Sequence, residues 1–124
     1  MTKDEFVARL VAACPETRLI LDEHLADFEN EILLHLLIAD VRRFAIAAFE
    51  DGDIDVLRRC LDAVGTGMSD GDDYVQNAIG VSFVEDTPLW DATMGPYIAT
   101  WPVPLKDEAE RQRKWRPADH DDAR

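Results

Sequence analysis

The sequence predicts an all-α fold, a single compact bundle of five to six short antiparallel helices around a central apolar helix. Three observations predict it. Apolar residues recur at three- and four-residue spacing along most of the chain, and no segment alternates with period two for long. Breakers at Pro15, Gly52, Thr87-Pro88, Gly95-Pro96, Pro102 and Pro104 cut the pattern into short lengths. One stretch, residues 30–50, is apolar on most sides, the pattern of a helix packed all round.

The elements follow in order. Thr2-Lys3-Asp4-Glu5 fits a capping box, in which the Thr2 hydroxyl accepts from an orphan N–H and the Glu5 carboxylate reaches back. Phe6, Leu10 and Cys14, flanked by Val7 and Val11, give the first helix its apolar face, and Pro15 stops it. Leu21, Leu25 and Phe28 mark a second short helix, with Asp22, Glu23, Asp27 and Glu29 on its wet side. The central helix follows over residues 30–50. Gly52 stops it and Asp53 caps the next, whose core face is Ile54, Leu57, Leu61 and Val64. Opposite that face, Asp55–Arg59 and Arg58–Asp62 are i,i+4 pairs.

Gly65-Thr66-Gly67 and Ser69-Asp70-Gly71-Asp72 read as a flexible loop, after which Asp72 or Asp73 caps a helix with core face Val75, Ala78, Ile79, Ser82 and Phe83. Thr87-Pro88 reads as a cap plus first-turn proline, opening a helix through Trp90 to Met94. A short turn over residues 96–101 ends at Pro102 and Pro104. Residues 106–115 form a charged helix with a thin apolar face, and residues 116–124 are expected to be disordered. The domain reading is therefore 1–105 as an acidic helical domain and 106–124 as a charged tail.

The charge is distributed unevenly. The net charge is −13, and residues 1–105 carry all of it, with seven Lys and Arg against twenty Asp and Glu. Residues 106–124 hold six of each sign. An acidic body repels nucleic acid and anionic membrane and steers toward basic surfaces. The densest apolar run, residues 32–39, is broken by His35 and followed by Asp40, Arg42 and Arg43, well short of the ~20 apolar residues that span a bilayer. The first residues offer no apolar signal-peptide core. Cys14 and Cys60 make no CxxC or zinc spacing and read as small buried apolar residues, with thiols made inert by their surroundings. A cytoplasmic protein is expected.

Sequence motifs for chemistry are sparse. Glu31 and His35 are i,i+4, and with His24 they are the candidate metal ligands, one strict pair where a site needs three or four groups. The simpler reading hydrogen-bonds His35 to Glu31. Asp51-Gly52-Asp53-Ile54-Asp55 begins like a calcium loop, but the glycine and glutamate that such a loop needs are replaced by Val56 and Asp62. Ser69 and Ser82 lie in no GxSxG setting, and there is no dinucleotide or phosphate loop. No enzyme activity and no cofactor are expected. The candidate partner-binding residues are Asp51, Asp53, Asp70, Asp72 and Asp73, which form one anionic patch if their connections come to one end of the bundle. Trp101 joins them as a surface anchor held rigid by its neighbouring prolines.

Residues 31–44 (EILLHLLIADVRRF), the Asp51-Gly52-Asp53 turn and residues 75–85 (VQNAIGVSFVE) resemble a family of small bacterial all-helical proteins, similar to members of polymorphic-toxin immunity sets. The resemblance covers roughly residues 5–98 and rests on core positions. It implies a helical fold and no catalytic residue; Asn77 and Ser82 would satisfy buried backbone groups, and Glu85 would cap or pair. The expected function is an immunity-type protein, monomer or homodimer, that neutralises a basic, nuclease-like toxin domain by occlusion, without binding nucleic acid or membrane. The alternative is a self-associating helical structural or regulatory module.

Overall fold

The computed structural model describes the backbone of residues 1–122 and the side chains of residues 1–114. Among the described residues there are seven α-helices and no strand: α1 (Lys3–Ala13), α2 (Arg18–Asp27), α3 (Leu34–Glu50), α4 (Ile54–Asp70), α5 (Asp73–Ile79), α6 (Gly95–Ile98) and α7 (Val103–Asp122). A π-helical segment, Gly80–Glu85, continues α5, and 3-10 turns at Pro15–Thr17 and Ala92–Met94 lead into α2 and α6. The fold is all-α, as the periodicity predicts. Helix α3 packs on α2, α4, α5 and the π segment, and α4 shares the centre, packing on α1, α3, α5 and α7.

Local chemistry explains where each helix begins. At α1 the capping box forms: Glu5 N–H donates to Thr2 Oγ1 at 3.3 Å, and Thr2 N–H donates to Glu5 Oε1 at 2.9 Å. Helix α3 starts at Leu34 rather than Asn30, because Glu29 and Asn30 adopt positive φ (55° and 66°), which reverses the chain. Its entry is held by the buried His24 ring, whose Nε2 accepts the Leu33 N–H at 2.9 Å. Asp72 opens α5 by accepting the Val75 N–H at 2.9 Å.

The expected Gly65–Gly67 loop is instead the last third of α4. Both glycines are contact residues. A Cβ on Gly65 would lie 2.7 Å from Pro102 Cγ, and one on Gly67 would lie 2.5 Å from Phe6 Cε1. The intervening hydroxyls are satisfied within the helix, Thr66 donating to Asp62 O and Ser69 to Gly65 O. On the outer face Asp55 pairs with Arg59 at 3.1 Å, whereas Arg58 and Asp62 form no pair.

Threonine and proline punctuation differs from the expectation at Thr87 and Pro104, whereas the short turn expected from Pro96 is present as α6. Thr87 is buried and its hydroxyl donates to Phe83 O at 2.8 Å, so it closes the preceding helix, and Asp91 opens the next turn by accepting the Thr93 N–H. Pro96 lies in the first turn of α6. Pro104 lies in the first turn of α7, where its missing N–H costs nothing. Helix α7 therefore begins before the expected tail boundary, and its Leu105 and Ala109 are buried in the common core. Its backbone stays helical over 116–122, where disorder was expected; Ala123 and Arg124 lie outside the described residues.

Candidate functional site

The predicted surface does not assemble. Asp51 and Asp53 flank Gly52 in the α3–α4 turn, whereas Asp70, Asp72 and Asp73 lie at the α4–α5 junction. A 17-residue helix separates the two groups by about 25 Å. All five carboxylates are exposed, but they form two patches at opposite ends of α4. Trp101 is not a surface anchor. It is 2% exposed and packs against Phe83 and Tyr97, with ring centroids 5.8 and 5.7 Å away. Among the described residues the exposed tryptophan is Trp90, at 76%.

The histidines are likewise committed elsewhere. Glu31 precedes α3, so it shares no helix face with His35, and His35 Nδ1 instead meets Ser82 Oγ at 3.0 Å. That bond ties the π segment to α3, and it gives Ser82 a side-chain partner where a backbone one was expected. Among the described residues no three His, Cys, Asp or Glu are grouped to hold a metal ion. No helix there is long and apolar enough to cross a membrane.

What the fold does bring together is a groove of about 530 Å³ between α5 with its π extension and α7. Its floor is built on a buried carboxylate. Glu108, 6% exposed, takes a two-pronged grip from Arg111 (Nε to Oε1 3.0 Å, Nη2 to Oε2 2.7 Å) and a third bond from Gln112 Nε2 at 2.7 Å. Gln112 Nε2 also donates to Gly80 O at 3.0 Å, so one amide joins α7 to the start of the π turn. Gly80 packs closely here: a Cβ at this position would lie 3.3 Å from Glu108 Oε2, which would have to give by a few tenths of an ångström. Gln112 Oε1 is buried without a donor. Asp73, Asn77 and Glu85 face the same space, and Asp73 is the only predicted site residue to line it.

The groove is thus rich in acceptors, and Arg111, the one cationic side chain lining it among the described residues, is already engaged by Glu108. Its α7 side was hidden from sequence reasoning because residues beyond 105 were assigned to a separate tail. The readable signal was the Glu108–Arg111 and Glu108–Gln112 spacing, i,i+3 and i,i+4 on one helix face. A family model described as a domain of unknown function, DUF7674, matches residues 7–116. The chain belongs to the DUF7674 family. No curated protein and no solved structure matches it significantly. The DUF7674 match extends past the limit of the sequence resemblance and takes in both walls of the groove, including Glu108, Arg111 and Gln112.

Proposed function

We propose that this protein is a non-enzymatic, immunity-type inhibitor that docks a basic protein partner, a toxin domain of nuclease-like charge, and occludes it in the cytoplasm. The observation that supports this best is the acceptor chemistry of the groove. Gln112 Oε1 is buried there without a donor, and the carboxylates of Asp73, Glu85 and Glu108 line the same groove, in a body that carries −13 before residue 106. A Lys or Arg side chain from a partner supplies both the N–H donors and the opposite charge. Val81, 39% exposed on the same wall, adds apolar contact area.

The test is co-purification of the tagged protein with the protein encoded beside it, at low and high salt, followed by association kinetics. A stoichiometric complex is expected, with Asp73→Lys slowing association roughly tenfold at low salt and much less at high salt. Asp51→Lys, at the far end of α4, changes the net charge equally and serves as the control. Equal slowing by both substitutions removes the groove from the interface, and no complex at either salt refutes the proposal.

A second reading, self-association, is favoured by the exposure of Trp90. Sedimentation that shifts with concentration in the wild type and not in Trp90→Ser supports it. A monomer at all concentrations refutes it.

A further inference from the structure

We infer that Cys14 and Cys60 form a dithiol site that a hydroperoxide converts into an intramolecular disulfide, stapling the end of α1 to the middle of α4. The two residues are 46 positions apart in sequence, and both are 0% exposed. The fold brings them together: Cys14 caps the C-terminus of α1, and its Sγ lies 3.9 Å from Val56 O, the carbonyl one helical turn before Cys60. The two thiols lie close enough for each to shift the other's titration.

The surroundings make the pair unequal. Contact with Cys60 and the Arg59 charge hold the Cys14 thiol below its usual range, against burial and the Glu16 carboxylate, which lies 3.6 Å from its sulfur. The same contact and deeper burial push Cys60 up. Cys14, whose sulfur lies against the partly exposed Glu16–Arg59 pair, is the sulfur nearer to solvent and hence the attacking one, with Cys60 resolving. One of the groups against the Cys14 sulfur is the Glu16 carboxylate. Arg59 grips Glu16 through two parallel bonds of 2.9 Å, and both side chains are partly exposed (33% and 43%). Swinging this clasp aside admits a molecule as small as hydrogen peroxide without disturbing a helix.

The chemistry balances. The Cys14 thiolate attacks one peroxide oxygen and the O–O bond breaks; hydroxide leaves and Cys14 becomes a sulfenic acid. Cys60 sulfur then attacks Cys14 sulfur, the S–O bond breaks, and water departs with the Cys60 proton. Two thiols are oxidised by two electrons, and one peroxide is reduced to two waters.

The experiment treats the native full-length chain with hydrogen peroxide, without denaturant, and maps peptides under non-reducing conditions. The expected result is a Cys14–Cys60 cross-linked peptide, loss of two hydrogens from the intact mass, and a melting temperature raised by roughly 10 °C. Dithiothreitol reverses all three. In Cys60→Ser, dimedone is expected to trap Cys14 as the sulfenic acid. Two thiols still free after peroxide treatment, or cross-links only between chains, overturn the inference. The wild-type map decides the question even if the variant does not fold.

Discussion

Replacing Trp101 with alanine separates two incompatible roles for that residue. As a core side chain, 2% exposed between Phe83 and Tyr97, it fills space that nothing else reaches when the ring is removed. Truncating a buried tryptophan costs about 3–5 kcal/mol. Unfolding entropy of about 2.1 cal/mol/K per residue over 124 residues amounts to about 0.26 kcal/mol/K, so each kcal/mol moves the midpoint by about 4 °C. Trp101→Ala should therefore melt about 12–20 °C below the wild type. Thermal unfolding followed by far-ultraviolet circular dichroism measures this, with urea unfolding as a second route to the same free energy. Trp90→Ala is the control: an exposed side chain changes stability by less than about 0.5 kcal/mol, or about 2 °C. A Trp101→Ala midpoint within about 2 °C of the wild type would refute the packing described above and return Trp101 to the surface.

Gly67→Ala sets a helix-propensity gain of about 1 kcal/mol against overpacking of about 1–3 kcal/mol. The Phe6 ring that the new methyl meets is itself buried, so a net loss of about 1 kcal/mol is expected in urea titration. A stabilised variant would place residue 67 away from Phe6. Arg59 holds the Glu16 carboxyl down from 4.5 to about 2. A depressed carboxyl contributes stability that is present above its unfolded pKa and is lost as pH falls through the folded one. The stability gap between the wild type and Glu16→Gln should thus be constant above about pH 5 and close between pH 4.5 and 2. A gap that ignores pH across that window would disconnect Glu16 from Arg59.

The core faces of α1 and α5 were legible because each carries a 3.6-residue stripe behind a capping side chain, whereas α2, α3 and α4 have no side-chain cap, and the expected core residue Ile54 of α4 is half exposed. Val75, Ala78, Ile79, Ser82 and Phe83 are all buried, as their spacing required. Glycine and proline were misread, because the same residue serves a turn, a first helical turn or a close helix contact, and only the neighbour decides which. Gly65 and Gly67 face Pro102 and Phe6, partners far away in sequence. Pro104 looked like a terminator but opens α7. That error hid the groove, since one of its walls was assigned to a tail. The acidic residues were correctly placed on the surface, yet they do not converge, because the two connections that carry them flank α4 and so lie at its opposite ends.

The π turn at Gly80–Glu85 has a consequence for the groove. Such a turn holds one residue more than an α-helix needs, and each residue in a helix turns the chain by about 100°. The surplus lets Ser82, Phe83 and Val84 all be buried in succession, a run that no regular helix facing one neighbour would show. The extra residue therefore sets which face of the segment beyond Gly80 looks into the groove, where Val81 and Glu85 line the wall.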